Sequence, residues 1–291
     1  MDYIRYLLYD LKTLLSIKFA KPKMFGGVNF KYFANGLGTF KTIQTNEPRS
    51  VELALKMQEF GIIRFLDIGA SFGVWSLPFA KKLSQNKKLL NSGEGGLVVS
   101  VDAHLLSCEH LFLNSCLNGI DPSLLIVLNL AVDTRNGQCE LYFPKYASNL
   151  GTINRKNPTK RLLNSKSSVF AINVASLIDL AKPHFVKIDI EGIDLVIAEQ
   201  ISGLDQNVEV MSIEVTPAGL SKSGVSLLQE ISKKFNFLIP ITKELENNAD
   251  DLKIYSSLED VIKICEQTKK TNLFVLKNQE LAQRLCLRTN K

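Results

Sequence analysis

Short apolar runs alternate with longer amphipathic stretches over most of the chain. Ile62-Ile63-Arg64-Phe65-Leu66-Asp67 is a compact run that ends in a glycine-rich turn. Leu97-Val98-Val99-Ser100-Val101-Asp102 is a second, and residues 124–132, 185–190 and 208–215 are three more. Two further strands are predicted at 237–241 and 272–276. Helical spacing predicts helices over 51–60, closed by Gly61, over 75–83, with Pro78 in the first turn, and over 105–118, closed by Gly119. Strands that are apolar throughout are covered on both faces. Their alternation with helices predicts an α/β fold, a Rossmann-like, mostly parallel sheet with helices on both faces.

Two regions break this rhythm. Residues 21–45 hold Gly26-Gly27, Asn35-Gly36 and Gly38 between short apolar runs, and the Asn-Gly step is a hairpin signal, so two short strands are expected there. Residues 133–175 contain alternating stretches at 138–143 and 169–174 around a polar segment, 145–168, that reads either as a lid over a site or as an exposed insertion. Residues 84–96 are polar and glycine-rich, a loop. The chain divides into an extension over 1–50 (a helix plus a short hairpin), a main domain over 51–280 and a tail over 281–291.

Composition narrows the function classes. The chain has 291 residues, 45% hydrophobic and 22% charged, enough for one large core. Net charge is +6, with the lysines dispersed. That is a solvated surface, so nucleic acid is not expected as a partner, while an anionic small-molecule or glycan substrate is compatible. Five cysteines without a Cys-x-x-Cys spacing argue against a disulfide framework or a zinc site, and a reducing compartment, the cytoplasm, fits. His104, His110 and His184 have no metal-binding spacing. Charges at Asp2, Arg5, Asp10, Lys12 and Lys18 interrupt residues 1–20, so no transmembrane segment is expected. The apolar positions of 6–15 read as a helix packed on its own domain or as a peripheral membrane or partner contact. The oligomeric state is not legible.

The chemistry gathers at strand ends. In an open α/β sheet ligands bind beyond the carboxyl ends of the strands, where strand order reverses. Asp67, Asp102, Asp189, Glu191 and Glu214 all fall at such ends. Several carboxylates on one rim are better explained by a site than by stability, because each needs a partner or solvent. Gly69 and Gly73 bracket the first turn, where glycine permits positive φ and close approach of a ligand. Their Gly-x-x-x-Gly spacing differs from the Gly-x-Gly-x-x-Gly that seats a pyrophosphate. Asp67 can orient the loop or a ligand ammonium group, and Asp102 can accept both hydroxyls of a ribose.

These segments resemble the FkbM-type branch of the class I methyltransferases. Phe65-Leu66-Asp67-Ile68-Gly69-Ala70-Ser71-Phe72-Gly73-Val74-Trp75-Ser76 is similar to that family's glycine motif, which usually has Asn where Ser71 stands. Val186-Lys187-Ile188-Asp189-Ile190-Glu191-Gly192 matches its Lys-x-Asp-x-Glu-Gly signature. Ser176-Leu177-Ile178-Asp179 and Ile213-Glu214-Val215 resemble its flanking steps. Asp102-Ala103-His104 departs from the family's usual Glu-Pro. The resemblance covers about residues 50–280. It implies the class I methyltransferase sheet with an antiparallel last strand, S-adenosylmethionine as cofactor, and O-methylation of glycans or natural products. The cofactor-binding residues it implies are Asp67, Gly69, Ala70, Ser71, Gly73, Ser76, Asp102, Ala131 and Asp189. Candidate bases are Asp189 and Glu191, with His104 as a third. Asp189 and Glu191 also offer oxygen ligands for a divalent metal, which is not favoured. A nicotinamide-dependent oxidoreductase and a non-catalytic binding module on the same fold remain the alternatives. An RNA methyltransferase is disfavoured by the absence of an Asn-Pro-Pro-Tyr type motif.

Overall fold

A computed structural model describes residues 22–32, 47–86, 95–143, 151–153, 165–190, 192–204, 207–247 and 252–286. The expected helix within 6–15, the Asn35-Gly36 step, most of the 84–96 loop, most of the polar segment 145–164 and Glu191 lie outside the described residues. The first described elements are a hairpin, β1 (Lys23–Phe25) and β2 (Val28–Phe30), turning at Gly26-Gly27, both at positive φ. Val28 and Phe30 are fully buried in the same apolar cluster as Phe72 and Leu77.

The seven-stranded sheet is built from β3 (Arg64–Ile68), β4 (Leu97–Asp102), β5 (Leu125–Asn129), β9 (Phe185–Ile188), β10 (Val210–Val215), β11 (Phe237–Thr242) and β12 (Thr271–Leu276). Its order is β11-β12-β10-β9-β3-β4-β5. All neighbours are parallel except β12, which is antiparallel to β10 and to β11. The chain runs outward from β3 through β4 to β5, then crosses to β9 on the other side of β3. Strand order therefore reverses between β3 and β9, where such sheets bind ligands. The sheet is Rossmann-like as expected, mostly parallel with helices on both faces, and its last strand is antiparallel.

Its two faces carry two apolar clusters. One collects Phe65, Phe185 and Phe274 of the sheet with α1 (Pro48–Met57), α2 (Ser76–Gln85) and α9 (Gln279–Cys286). The other collects Leu66, Val99 and Ile188 with α4 (Val174–Ala181), α5 (Asp194–Gly203), α6 (Lys222–Ser232) and α8 (Leu258–Gln267). The remaining helices among the described residues are α3 (Leu105–Leu117), after β4, and α7 (Lys243–Asn247), after β11. Helix starts follow capping rules: the Asn173 side chain accepts from Ala175 N, and Ser257 from Asp260 N. The helix expected over 51–60 is α1 followed by a 3-10 turn, closed by Gly61 at φ 83°.

One expected strand divides. Residues 124–132 form β5 in the main sheet and β6 (Ala131–Asp133), which leaves it for a three-stranded sheet with β7 (Gly137–Phe143) and β8 (Ser165–Asn173). The break falls at Leu130, and β6 pairs parallel with β8. The continuous apolar run concealed it, because both pieces bury side chains. β8 also takes in residues 165–168 of the segment read as polar loop; none of them is buried, and three in a row are exposed, which explains the polar composition.

Candidate active site

β3 ends in a loop that hooks onto β4. The N–H groups of Gly69 and Ala70 both donate to Val101 O, at 2.9 and 3.0 Å. Ser71 N donates to Asp102 Oδ2 at 2.8 Å, and His104 N donates to Asp102 Oδ1 at 2.8 Å. The Asp102 carboxylate thus ties the glycine loop to the start of α3. Three loop residues adopt positive φ: Gly69 (77°), Ser71 (50°) and Gly73 (92°). A Cβ on Gly69 would lie 1.8 Å from the carbonyl oxygen of Asp189, and one on Gly73 would lie 2.7 Å from Leu77 Cγ. The space expected for a ligand at Gly69 is taken by the backbone of the neighbouring strand end. Glycine is needed there for that crossing as well as for φ.

Beneath the loop Lys187 reaches up from β9. Its Nζ donates to Gly69 O at 3.0 Å, and it pairs with Asp189 Oδ2 at 3.2 Å and Asp67 Oδ1 at 3.5 Å. Asp67 is fully buried and accepts from Ser76 Oγ at 2.5 Å, while Ser76 accepts from Ser100 Oγ at 2.7 Å. Asp67 thus meets Ser76, at the start of α2, and Lys187, whose Nζ also donates to Gly69 O. Ser76 lies under the loop with it. Burial raises the Asp67 carboxyl, against the pull of Lys187. Burial also opposes ionisation of Asp189, but Lys187, then Lys270 and a hydrogen bond from Glu214, hold its carboxyl well below the usual range.

Glu214 ends the strand next to the one that Asp189 follows. Glu214 pairs with Lys270, which also meets Glu47 at 3.0 Å, and Trp75 Nε1 donates to Glu47 at 2.8 Å. Burial, then Asp189, pushes the Glu214 carboxyl well up. The turn after Asp189 is closed by Asp194, which accepts from Ile190 N at 2.8 Å and Gly192 N at 3.1 Å. Glu47, Asp194 and Lys270 were not foreseen. Lys270 alone had a signal: an antiparallel last strand starting near residue 272 puts the residue before it on this rim.

Gly69, Ser71, Asp102, His104 and Asp189 come together half-buried along the rim, whereas Ala70, Gly73 and Ser76 are buried behind it. Ala131 is buried at the start of β6, in a small cluster against which Ala103 packs. Burial raises the Asp102 carboxyl to about 6, against the backbone hydrogen bonds from His104 and Ser71. The His104 ring meets Phe143 edge-on at 4.8 Å, and burial lowers its proton affinity. Ser71 Oγ and His104 Nδ1 are buried on this rim without a hydrogen-bond partner, and Asp67 Oδ1 has only its ion pair with Lys187 at 3.5 Å. Buried polar groups are rarely left so, and unpaired ones mark where a ligand or water completes the set. Among the described residues no group of three or more His, Cys, Asp or Glu side chains could hold a metal ion, and no helix is long and apolar enough to cross a membrane.

No family model matches the chain, and no curated protein matches it. Among solved structures it is similar to Trm5b from Pyrococcus abyssi (10% identity, TM-score 0.40), covering 88% of this chain and 54% of that one. It is also similar to the O-methyltransferase TomG from Streptomyces achromogenes, involved in tomaymycin synthesis and solved with SAM (11%, TM-score 0.41; 79% and 80% covered). A third is the methyltransferase FkbM from Methylobacillus flagellatus KT (13%, TM-score 0.38; 74% and 44% covered). The chain thus spans about half the length of the first and less than half of the third. Likeness at this level does not bear on substrate or activity.

Proposed function

We propose that this chain is an S-adenosylmethionine-dependent O-methyltransferase acting on a sugar hydroxyl of a glycan, nucleotide-sugar or natural product. The observation that carries the reading is the rim at the β3/β9 reversal. There a loop with three positive-φ residues is tied down by Asp102 and Lys187, and Ser71 Oγ and His104 Nδ1 stand unpaired. This donor set fits a nucleoside with a cationic end. Asp102 keeps acceptor capacity for ribose hydroxyls, since each carboxylate oxygen has used one of its sites on a backbone N–H. Asp189, held ionised, favours positive charge beside the Gly69–Gly73 loop.

S-adenosylmethionine, when bound, supplies a methyl group activated by its sulfonium. The protein's share is chiefly positioning and electrostatics. Asp189 is suited to accept a hydrogen bond from an acceptor hydroxyl, and Glu191, whose placement lies outside the described residues, is proposed beside it on the resemblance alone. The lowered proton affinity of His104 keeps its imidazole neutral at pH 7, so it is able to take a proton. The FkbM-type motifs support O-methylation, and the five free cysteines suit a cytoplasmic enzyme.

Titration calorimetry with S-adenosylmethionine and with NAD tests the reading. Heat with the first and none with the second is expected; the reverse result ends it. A screen of glycans and nucleotide-sugars with labelled donor then identifies the acceptor.

A further inference from the structure

α3 is built inside out. Its buried side carries Ser107, His110, Asn114 and Ser115 beside Cys108 and Leu111. Its exposed side carries Leu105, Leu106, Phe112, Leu113 and Leu117, and Glu109 is the one charge there. Nine large apolar side chains are exposed among the described residues, and these five are the majority of them. A helix on a free surface shows the opposite pattern, apolar inward and polar outward. A contiguous exposed apolar stripe marks an interaction site. The hairpin lies beside this helix. Asn118 Oδ1 accepts from Asn29 N at 2.8 Å, and Asn114 Oδ1 accepts from Lys31 N and Tyr32 N at 3.1 and 3.0 Å. β2 is thus fastened to α3, and β1 pairs antiparallel with β2. The chain that precedes Lys23 therefore arrives one strand away from α3, about 5 Å beyond β2.

We propose that the exposed face of α3 is a docking surface for residues 6–15 of this same chain, which lie outside the described residues. Leu7, Leu8, Leu11, Leu14 and Leu15 recur at the spacing of one helical face. At about 1.5 Å per residue that row is about 15 Å long, against about 20 Å for α3. Residues 16–21 separate it from the hairpin, and a connection of that length reaches up to about 20 Å. Charge selects this occupant over others. Arg5 stands three positions before Leu8 and Lys12 four after it, so both flank the leucine row and offer Glu109 an opposite charge. An anionic membrane surface would repel Glu109. A second copy of the face would set Glu109 near its own counterpart, a like-charge contact.

Cys116 lies on the same exposed side of α3, so its thiol reads whether the face is covered. The test follows its alkylation by iodoacetamide in the full chain, peptide by peptide, in a mass spectrometer. Cys116 is expected to react about tenfold or more slowly than in the urea-unfolded chain, the protection of a docked segment. Leu11→Asp is expected to restore the unfolded-chain rate at Cys116 while Cys265, buried in the core, stays protected. Cys265 reports the fold. If Leu11→Asp exposes it as well, Leu11→Ala replaces that variant, with a smaller rise at Cys116 expected. A Cys116 that reacts at the unfolded rate in the unsubstituted protein overturns the proposal. So does protection that the folded Leu11 variant leaves unchanged. Protection that disappears on dilution, with a dimer in sedimentation velocity, assigns the face to a second copy. Protection that needs vesicles of phosphatidylcholine and phosphatidylglycerol assigns it to a membrane. Either result overturns the docking of residues 6–15.

Discussion

Two buried acidic clusters flank the start of α1, and they neutralise their charge in opposite ways. On the rim, Asp67, Asp189, Glu214 and Glu47 are interleaved with Lys187 and Lys270. Glu246 of α7 reaches the start of the same helix, at Arg49 and Ser50. Its Oε2 accepts from the backbone N–H of Arg49 (2.8 Å) and Ser50 (3.0 Å), and Oε1 accepts from the Ser50 hydroxyl and the Asn272 amide. Its hydrogen-bond donors are all neutral. It caps a helix whose own N-cap residue, Glu47, makes no capping bond because Glu47 is committed to Lys270. Asp189, balanced chiefly by Lys187, stays ionised and can serve a ligand. A carboxylate balanced by dipoles is drawn toward its neutral form and serves as a latch.

The largest effect that separates the two is removal of the cation. Lys187→Met leaves Asp67 and Asp189 buried and half-paired, so a stability loss of about 3–5 kcal/mol is expected in urea unfolding at pH 7. A loss under about 1 kcal/mol would mean that the rim does not depend on its lysine, and the contrast would collapse. The latch comes next, through pH. Burial pushes the Glu246 carboxyl from its ordinary 4.5 up to about 7. A folded-state value above the unfolded one means that the bound proton stabilises the fold. That stabilisation is fully present below about 4.5 and is lost as pH rises through about 7. The interval corresponds to at most about 3 kcal/mol at roughly 1.36 kcal/mol per pH unit. Glu246→Gln should remove this decline, so the variant's stability relative to wild type should grow between pH 4.5 and 8. Parallel curves for the two proteins would remove Glu246 from the account.

The ease with which the sequence could be read follows the same divide. Asp67, Asp102 and Asp189 were visible because each closes or follows an apolar run, and the register of parallel strands brings such residues to one rim without further information. The loop was visible because positive φ restricts composition, although Ser71 at φ 50° occupies a place better suited to Asn or Gly. Glu246 carries no comparable mark. Its partners lie 196 and 26 residues away, and only the packing of α7 on α1 joins them. The break at Leu130 was hidden for a different reason: leaving one sheet for another changes hydrogen-bond partners but not the apolar pattern. The reason given for Gly69 was incomplete: its positive φ holds, but the backbone of Asp189 occupies the room assigned to a ligand.

The smallest effect tests whether Asp102 belongs with the rim or with the latch. It has features of both: it stands half-buried beside the glycine loop, yet its two oxygens accept from backbone N–H groups as Oε2 of Glu246 does. Burial raises it to about 6. As a latch it would bind its proton usefully, and its contribution to stability would be lost as pH rises from 3.8 through about 6. As a ligand group it must be ionised to accept ribose hydroxyls, so affinity for S-adenosylmethionine should weaken as pH falls below about 6. Asp102→Asn should abolish that dependence and cost about 1.5 kcal/mol of donor affinity at pH 7.5, roughly tenfold, the scale of a lost charge-assisted hydrogen bond. Calorimetric titrations at pH 5.5 and 7.5 distinguish the two. A wild-type affinity that does not change between these pH values, matched by the variant, assigns Asp102 to the loop's architecture alone, and the donor would then have to be held by the unpaired Ser71 Oγ and the backbone.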